Sequence, residues 1–268
     1  MTNEQTVPIQ IQLQVQALET LAANAWPAAE VQDLDGWRLR HTAGVTRRAN
    51  SVWPNATKDT LAVPDKVEAV ETFYRARQLP ARYQISPAGQ PADLDTLLAE
   101  RGYTAVARTA VQIAPLTTIL AKTTPLRQTP EFAVEVAEEF HAEWFDAYHT
   151  FAEEDRAGFA TRREILQRIA PLAGFALLRI NALPVAVGLG VVEADWLGLF
   201  CMGTSPSFRR RGAARAILRT LTIWAQMQGA THAYLQVMES NTTARPLYAN
   251  IGFETLYHYH YREKMVNR

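Results

Sequence analysis

Residues 197–229 read LGLFCMGTSPSFRRRGAARAILRTLTIWAQMQG and carry the side chains best suited to chemistry with an anion. Arg209, Arg210 and Arg211 stand directly before Gly212, Ala213, Ala214 and Arg215. An apolar run over 197–202 leads into Gly203 and Thr204. After the arginines, Ile217, Leu221 and Trp224 recur at steps of four and three, the stripe of a helix with one buried side. The order that follows is strand, basic loop, and a helix stopped by Gly229. A helix starting at Gly212 or Ala213 leaves its first N–H groups without intrahelical partners and points its positive end into the loop. Small residues at 212 and 214 let a phosphate approach the backbone closely, and the guanidinium groups surround it with charge. The loop therefore suits a pyrophosphate. It has neither the Gly-Lys-Ser/Thr ending of the nucleoside-triphosphate loop nor the GxGxxG spacing of a dinucleotide fold.

The spacing it does have, Arg209-x-x-Gly212-x-Ala214 after Gly203-Thr204-x-Pro206, resembles the acyl-CoA loop of the GNAT superfamily of N-acetyltransferases, (Gln/Arg)-x-x-Gly-x-(Gly/Ala). Downstream, a strand-like run over 233–238 is followed by Glu239, Asn241, Tyr248 and Gly252-Phe253, in the order and at distances compatible with that superfamily. The resemblance implies an α/β (α+β) fold with a mixed central sheet flanked by helices. It also implies acetyl-CoA as co-substrate, no metal, and direct attack by an amine without an acyl-enzyme. Met202, Gly203 and Thr204 would hydrogen-bond the pantetheine arm in strand fashion, and residues 209–215 would hold the pyrophosphate. Asn241 would hold pantetheine or a water, and Tyr248 would protonate the departing thiolate. The plainer readings are a turn residue at 241 and a packed tyrosine at 248.

Acetyl transfer to a primary amine, protonated at neutral pH with a pKa near ~10, needs a proton acceptor. Glu239, at the end of a strand, is one candidate, and Glu193 and Glu154 are others. A water relay or an already neutral amine would need none of them. Cys201 reads as a buried, inert thiol on the central strand, because no histidine lies near it in sequence. His258 and His260 share a strand face but have no obvious further metal ligand.

The 268 residues include 27 basic and 27 acidic side chains, so no global field recruits nucleic acid or an anionic membrane. One cysteine excludes an internal disulfide and suits a reducing compartment. No run approaches the ~20 apolar residues of a membrane span. The expectation is a cytoplasmic protein acting on a small-molecule or peptide amine, with no nucleic acid or membrane partner and a homodimer left open. The alternative is a non-catalytic CoA-binding or regulatory protein that kept the fold.

The strand, helix, strand, helix, strand order also fits residues 37–113, and LDTLLAERGY (94–103) parallels ARPLYANIGF (244–253), a weak internal repeat. The first copy has WPNATKDTLAVPDK in place of the Arg-x-x-Gly-x-Ala loop. Two tandem GNAT-like domains follow: 1–116, degenerate; a Thr- and Pro-rich linker, 117–129; and 130–268, binding acetyl-CoA. Arg40, Arg47, Arg48, Asn50 and Ser51 are expected on a solvent face of a sheet or against the other domain. Residues 44–52 are expected as a strand. Acids and aromatics over 138–154 (Glu143, Trp144, Phe145, Tyr148, His149, Phe151 among them) would line an acceptor site for a cation, or would be divided between core and solvated face.

Overall fold

The computed structural model describes residues 9–124, 133–152 and 156–266. The chain divides into two compact units, one holding residues up to 110 together with those from 257 on, the other residues 111–256. The first unit begins with α1 (Ile9–Asn24), β1 (Glu30–Leu34), β2 (Trp37–His41), β3 (Val52–Trp53), α2 (Val63–Ala76), β4 (Ala81–Ile85) and α3 (Leu94–Glu100). β5 (Thr104–Pro115) then carries the chain into the second unit. There follow α4 (Leu116–Thr123), β6 (Ala133–Ala137), α5 (Ala142–Phe151), α6 (Phe159–Gln167), β7 (Leu172–Ile180), β8 (Leu183–Glu193) and β9 (Trp196–Thr204). Next come α7 (Ala213–Met227), β10 (His232–Met238), α8 (Ala244–Asn250) and β11 (Glu254–Lys264), which returns to the first unit from Tyr257. Among the described residues no helix is long and apolar enough to cross a membrane.

In the first unit, β1 and β2 form a hairpin whose two-residue turn, Asp35-Gly36, has positive φ at both positions (52° and 91°), as such turns require. β2 pairs antiparallel with β3, β3 parallel with β4 across α2, and β4 antiparallel with β11. One face of this sheet packs Trp37, Leu39, Val52 and Tyr83 against Val67, Val70, Phe73 and Tyr74 of α2. Of residues 44–52 only Val52, the first residue of β3, is in a strand. The buried Asn50 gathers that segment instead: its Oδ1 accepts from the N–H groups of Thr42 (2.7 Å) and Gly44 (3.0 Å), and its Nδ2 donates to the carbonyls of Val45 (2.7 Å) and Thr46 (2.9 Å). A side chain that serves as the hydrogen-bond partner for a loop replaces a ladder.

In the second unit, β6, β7, β8 and β9 form an antiparallel meander, and β10 joins β9 in parallel after crossing through α7. Ile217, Leu218, Leu221, Trp224 and Ala225 form the buried stripe of α7, the larger of them contributing roughly 1.5–3 kcal/mol each. Gly188 admits that helix to the sheet: a Cβ there would lie 2.5 Å from Ile217 Cγ2 and 2.7 Å from Met202 Sδ. On the opposite face, Trp144 of α5 donates its Nε1–H to the carbonyls of Ala176 (3.0 Å) and Gly188 (3.2 Å) and stacks on Tyr148. The segment 117–129, expected as a linker, opens with α4, and Arg219 Nη1 donates to Leu120 O at that helix's last turn (2.9 Å). Residues 125–129 lie outside the described residues. Residues 257–268 group with the first unit and not with 130–256, because β11 pairs there with β4.

Candidate functional site

The site is built where β9 changes direction. Val187 pairs with Gly203 and Leu189 with Phe200, so Cys201 and Met202 together oppose Gly188 alone. That is a β-bulge, and Cys201 adopts φ +50° within it. Before the bulge β9 pairs in parallel with β10, Trp196–Leu199 with His232–Leu235. Beyond Leu199 the two strands are not paired among the described residues, although β9 runs on to Thr204 and β10 to Met238. Because the two strands are parallel, their carboxyl ends lie at the same end of the sheet. Gly203 turns its Cα toward α5: a Cβ there would stand 3.1 Å from Phe151 Cβ.

After Thr204 comes a single 3-10 turn, Pro206–Phe208, and then the arginine loop. Arg210 and Gly212 both have positive φ (60° and 90°), and Gly212 begins α7 with no side-chain cap. The first intrahelical bond runs from Ala216 N to Gly212 O (3.0 Å), so the N–H groups of Ala213, Ala214 and Arg215 belong to the uncapped first turn. Arg209, Arg210, Arg211 and Gly212 are exposed. Arg209 Nε donates to Thr204 O (3.3 Å), and the Arg211 guanidinium lies 5.5 Å over the Phe208 ring. The Arg215 guanidinium, by contrast, turns away and donates to the Lys122 carbonyl at the end of α4.

Tyr248 is buried on α8, edge-on to Phe253 at 5.9 Å, and burial pushes its hydroxyl up to about 12. Asn241 is exposed; its Oδ1 accepts from Ala244 N (2.9 Å) and fastens the start of α8. Glu239 follows the carboxyl end of β10, and its backbone carbonyl accepts from Arg245 Nη1 (3.3 Å). Glu193 pairs with Trp196 at the other end of β9, about 25 Å from Thr204 at ~3.3 Å per residue, too far to serve the same chemistry. Glu154 lies outside the described residues. Cys201 is half-buried in the bulge. His260 Nε2 meets Asp95 Oδ1 at 2.9 Å in the first unit, where Arg262 shares the carboxylate. No group of three His, Cys, Asp or Glu that could hold a metal ion occurs among the described residues. Of the polar residues expected on a solvent face or against the other domain, Arg40, Asn50 and Ser51 are buried, and Arg47 pairs with Glu263 (3.3 Å).

The acidic and aromatic stretch divides by helix face. Trp144, Phe145 and Tyr148 are core. Asp146, His149 and Thr150, spaced i, i+3, i+4 on α5, line a cleft of about 410 Å³ with Phe159. A neighbouring cleft of about 460 Å³ shares Asp146 and Thr150 and reaches Phe151 and Pro184. Asp146 and Thr150 escaped the sequence reading, which followed residue type over 138–154 and not helical spacing.

Residues 13–262 match the family model described as "Probable histone acetyltransferase Rv0428c C-terminal". "Uncharacterized N-acetyltransferase YobR" of Bacillus subtilis is 32% identical over 93% of this chain and 98% of its own length. "Probable histone acetyltransferase Rv0428c" of Mycobacterium tuberculosis is 26% identical, over 92% of this chain and 73% of its own. The GCN5-related N-acetyltransferase from Kribbella flavida superposes with a TM-score of 0.66 at 19% identity, covering 97% of this chain and 96% of its own. A tandem GNAT protein from the clavulanic acid biosynthesis pathway gives 0.63 at 10% identity, covering 100% and 97%. These two share the fold. With one family model spanning both units and a relative 32% identical along nearly its whole length, the chain belongs to the GNAT N-acetyltransferase family and is an acetyltransferase of that type.

Proposed function

We propose that residues 111–256 bind acetyl-CoA across the opening between β9 and β10 and transfer the acetyl group directly to an amine. The observation that supports this most is a coincidence of position. The bulge near the carboxyl end of β9, the uncapped start of α7 and the approach to α8 all lie toward the carboxyl ends of the one parallel strand pair of this unit among the described residues, where α/β folds bind ligands. The pyrophosphate meets the N–H groups of 213–215 and the arginines 209–211. The pantetheine arm pairs with Met202, Gly203 and Thr204 in place of the missing strand contact, and their N–H groups stabilise the oxyanion.

The amine nitrogen attacks the thioester carbonyl carbon, the tetrahedral intermediate collapses, the C–S bond breaks, and the thiolate takes a proton from Tyr248. A phenol at about 12 is a weak acid toward an ordinary thiol. The burial that raises it also raises a thiol leaving beside it, which brings the two closer. The proton shed by the amine passes to water or to Glu239. Asn241 is a positioning residue that fixes α8 and hence Tyr248. The first unit is a degenerate copy of the fold that supports the second, and the use of acetyl-CoA places the protein in the cytoplasm.

The test is CoA thiol release with acetyl-CoA and a panel of amines. Tyr248→Phe is expected to lower kcat by about a hundredfold, with acetyl-CoA affinity within about twofold of the parent. Unchanged turnover in that variant would remove Tyr248 from the chemistry. Binding of acetyl-CoA with no thiol release from any amine would return the protein to a non-catalytic role.

A further inference from the structure

The smaller cleft beside α5 brings together four groups that suit a cation. Asp146 is exposed and makes no ion pair among the described residues. The other carboxylate bordering these clefts, Glu143, is already held by Arg179 (2.7 Å), which keeps it below the usual carboxylate range. His149 is 9% exposed, and its Nε2 is buried with no hydrogen-bond partner among the described residues. A buried ring nitrogen without a partner is costly unless something else supplies the hydrogen bond. Phe159 offers an aromatic face, with its ring 4.9 Å from the imidazole of His149, and Thr150 a hydroxyl. A carboxylate, an unpartnered ring nitrogen, a hydroxyl and an aromatic face are complementary to an alkylammonium group: charge, hydrogen bond and cation–π contact together.

The neighbouring cleft shares Asp146 and Thr150 and ends at Phe151, which stands over Gly203 at the end of β9. Five residues of helix at ~1.5 Å each, plus the width of the helix, separate Asp146 from that point by on the order of 10 Å. Resting on the amine-acceptor reading above, the geometry points to a small dicationic amine as the acceptor. One nitrogen reacts near Gly203, and a second ammonium sits among Asp146, His149, Thr150 and Phe159. Clefts of this volume suit a small molecule. Asp146 and His149 are then specificity residues, recognising the distant ammonium.

The experiment compares 1,7-diaminoheptane, heptylamine and a lysine-containing basic peptide as acceptors for the full-length protein with acetyl-CoA. The diamine is expected to have a kcat/KM about tenfold above the monoamine, carried by KM, and above the peptide. Asp146→Asn is expected to bring the diamine-to-monoamine ratio close to one, and His149→Gln to lower it. The ratio compares two substrates on one protein sample, so a folding defect does not move it. A ratio near one in the parent, a ratio unmoved by Asp146→Asn, or a preference for the peptide would overturn the assignment. Calorimetric titration of 1,7-diaminoheptane alone reads the cleft independently of transfer. Binding lost in Asp146→Asn supports the site even if no acetyl group moves, and no binding by the parent overturns it even if monoamines are acetylated.

Discussion

The two helices α2 and α7 hold the same place in the chain order, each crossing between the strands of a parallel pair, yet their first turns are built for opposite purposes. α2 has a proline in its first two positions and Asp65 in its first turn, so one N–H is missing and the dipole is answered from within the chain. Its next residue, Lys66, is buried. The ammonium lies 2.5 Å from Asp35, donates to Thr57 Oγ1 (2.9 Å) and sits 5.0 Å from the centre of the Trp37 ring. Asp35 in turn accepts from the N–H and hydroxyl of Thr60, so the loop above α2 is fastened to the turn after β1. α7 starts at a left-handed glycine with no cap and no acid in its first turn, beneath exposed arginines. One crossover has been closed by its own side chains, and the other begins uncapped beside exposed arginines. A common backbone plan therefore says little about ligand binding until the residues of the first turn are read.

The largest effect expected on this contrast is structural and confined to α2. Lys66→Met leaves the Asp35 carboxylate buried without its cation, and the thermal midpoint should fall by on the order of 10 °C. Acetyl-CoA affinity at low temperature should stay as it was. A midpoint that does not move would show that the pair is not what closes the first crossover.

Next is Gly212→Glu, which sets a negative charge at the start of α7 and forces φ near +90° on a residue with a side chain. Calorimetry should show acetyl-CoA affinity at least a hundredfold lower. Gly212→Ala separates the two causes. A Cβ there meets nothing within 4 Å, so only the left-handed strain of about 1 kcal/mol remains, and affinity should fall by tenfold or less. Equal losses in both variants would point to backbone shape and not to charge.

The third expectation concerns the other face of the first unit's sheet. There Glu19 on α1 accepts from Tyr257 Oη (2.7 Å) and from Gln84 Nε2, and burial raises its carboxyl from 4.5 to about 7. Hydrogen bonds from Tyr257 and Gln84 and the nearby Arg40 pull the other way and are outweighed. A pKa higher in the folded than in the unfolded chain gives stability that is full below about 4.5 and lost as pH rises through about 7. The shift corresponds to about 3 kcal/mol. Thermal melts should therefore lose stability between about pH 4.5 and about pH 7, and Glu19→Gln should flatten that slope. A slope unchanged in the variant would place the titration elsewhere.

Much of the second unit could be read from the chain because each element carries its own local signal. The apolar stripe of α7 and its stop at Gly229 are both local signals, and each is legible within a few residues. Three things escaped, the first because one side chain overrides a local pattern and the other two because their causes lie far away in sequence. The strand expected over 44–52 gives way to one buried asparagine. α4 is held where a Thr- and Pro-rich linker was expected, by arginines about a hundred residues downstream at 215 and 219. The bulge at Cys201 and Met202 depends on the register of β8, which no pattern within 197–204 reveals. The candidate site divides in the same way. The arginine loop is legible from spacing and Tyr248 is a candidate through the family resemblance, whereas Glu193 was excluded only once the strand direction was known. Asp146 emerged from the shape of α5 and not from its composition.

The most direct measurement is the stoichiometry of acetyl-CoA binding by calorimetric titration of the full-length protein. An open α7 and a closed α2 predict one site per chain, abolished by Gly212→Glu. Two sites per chain, or one site that survives that substitution, would contradict the contrast between the two helices.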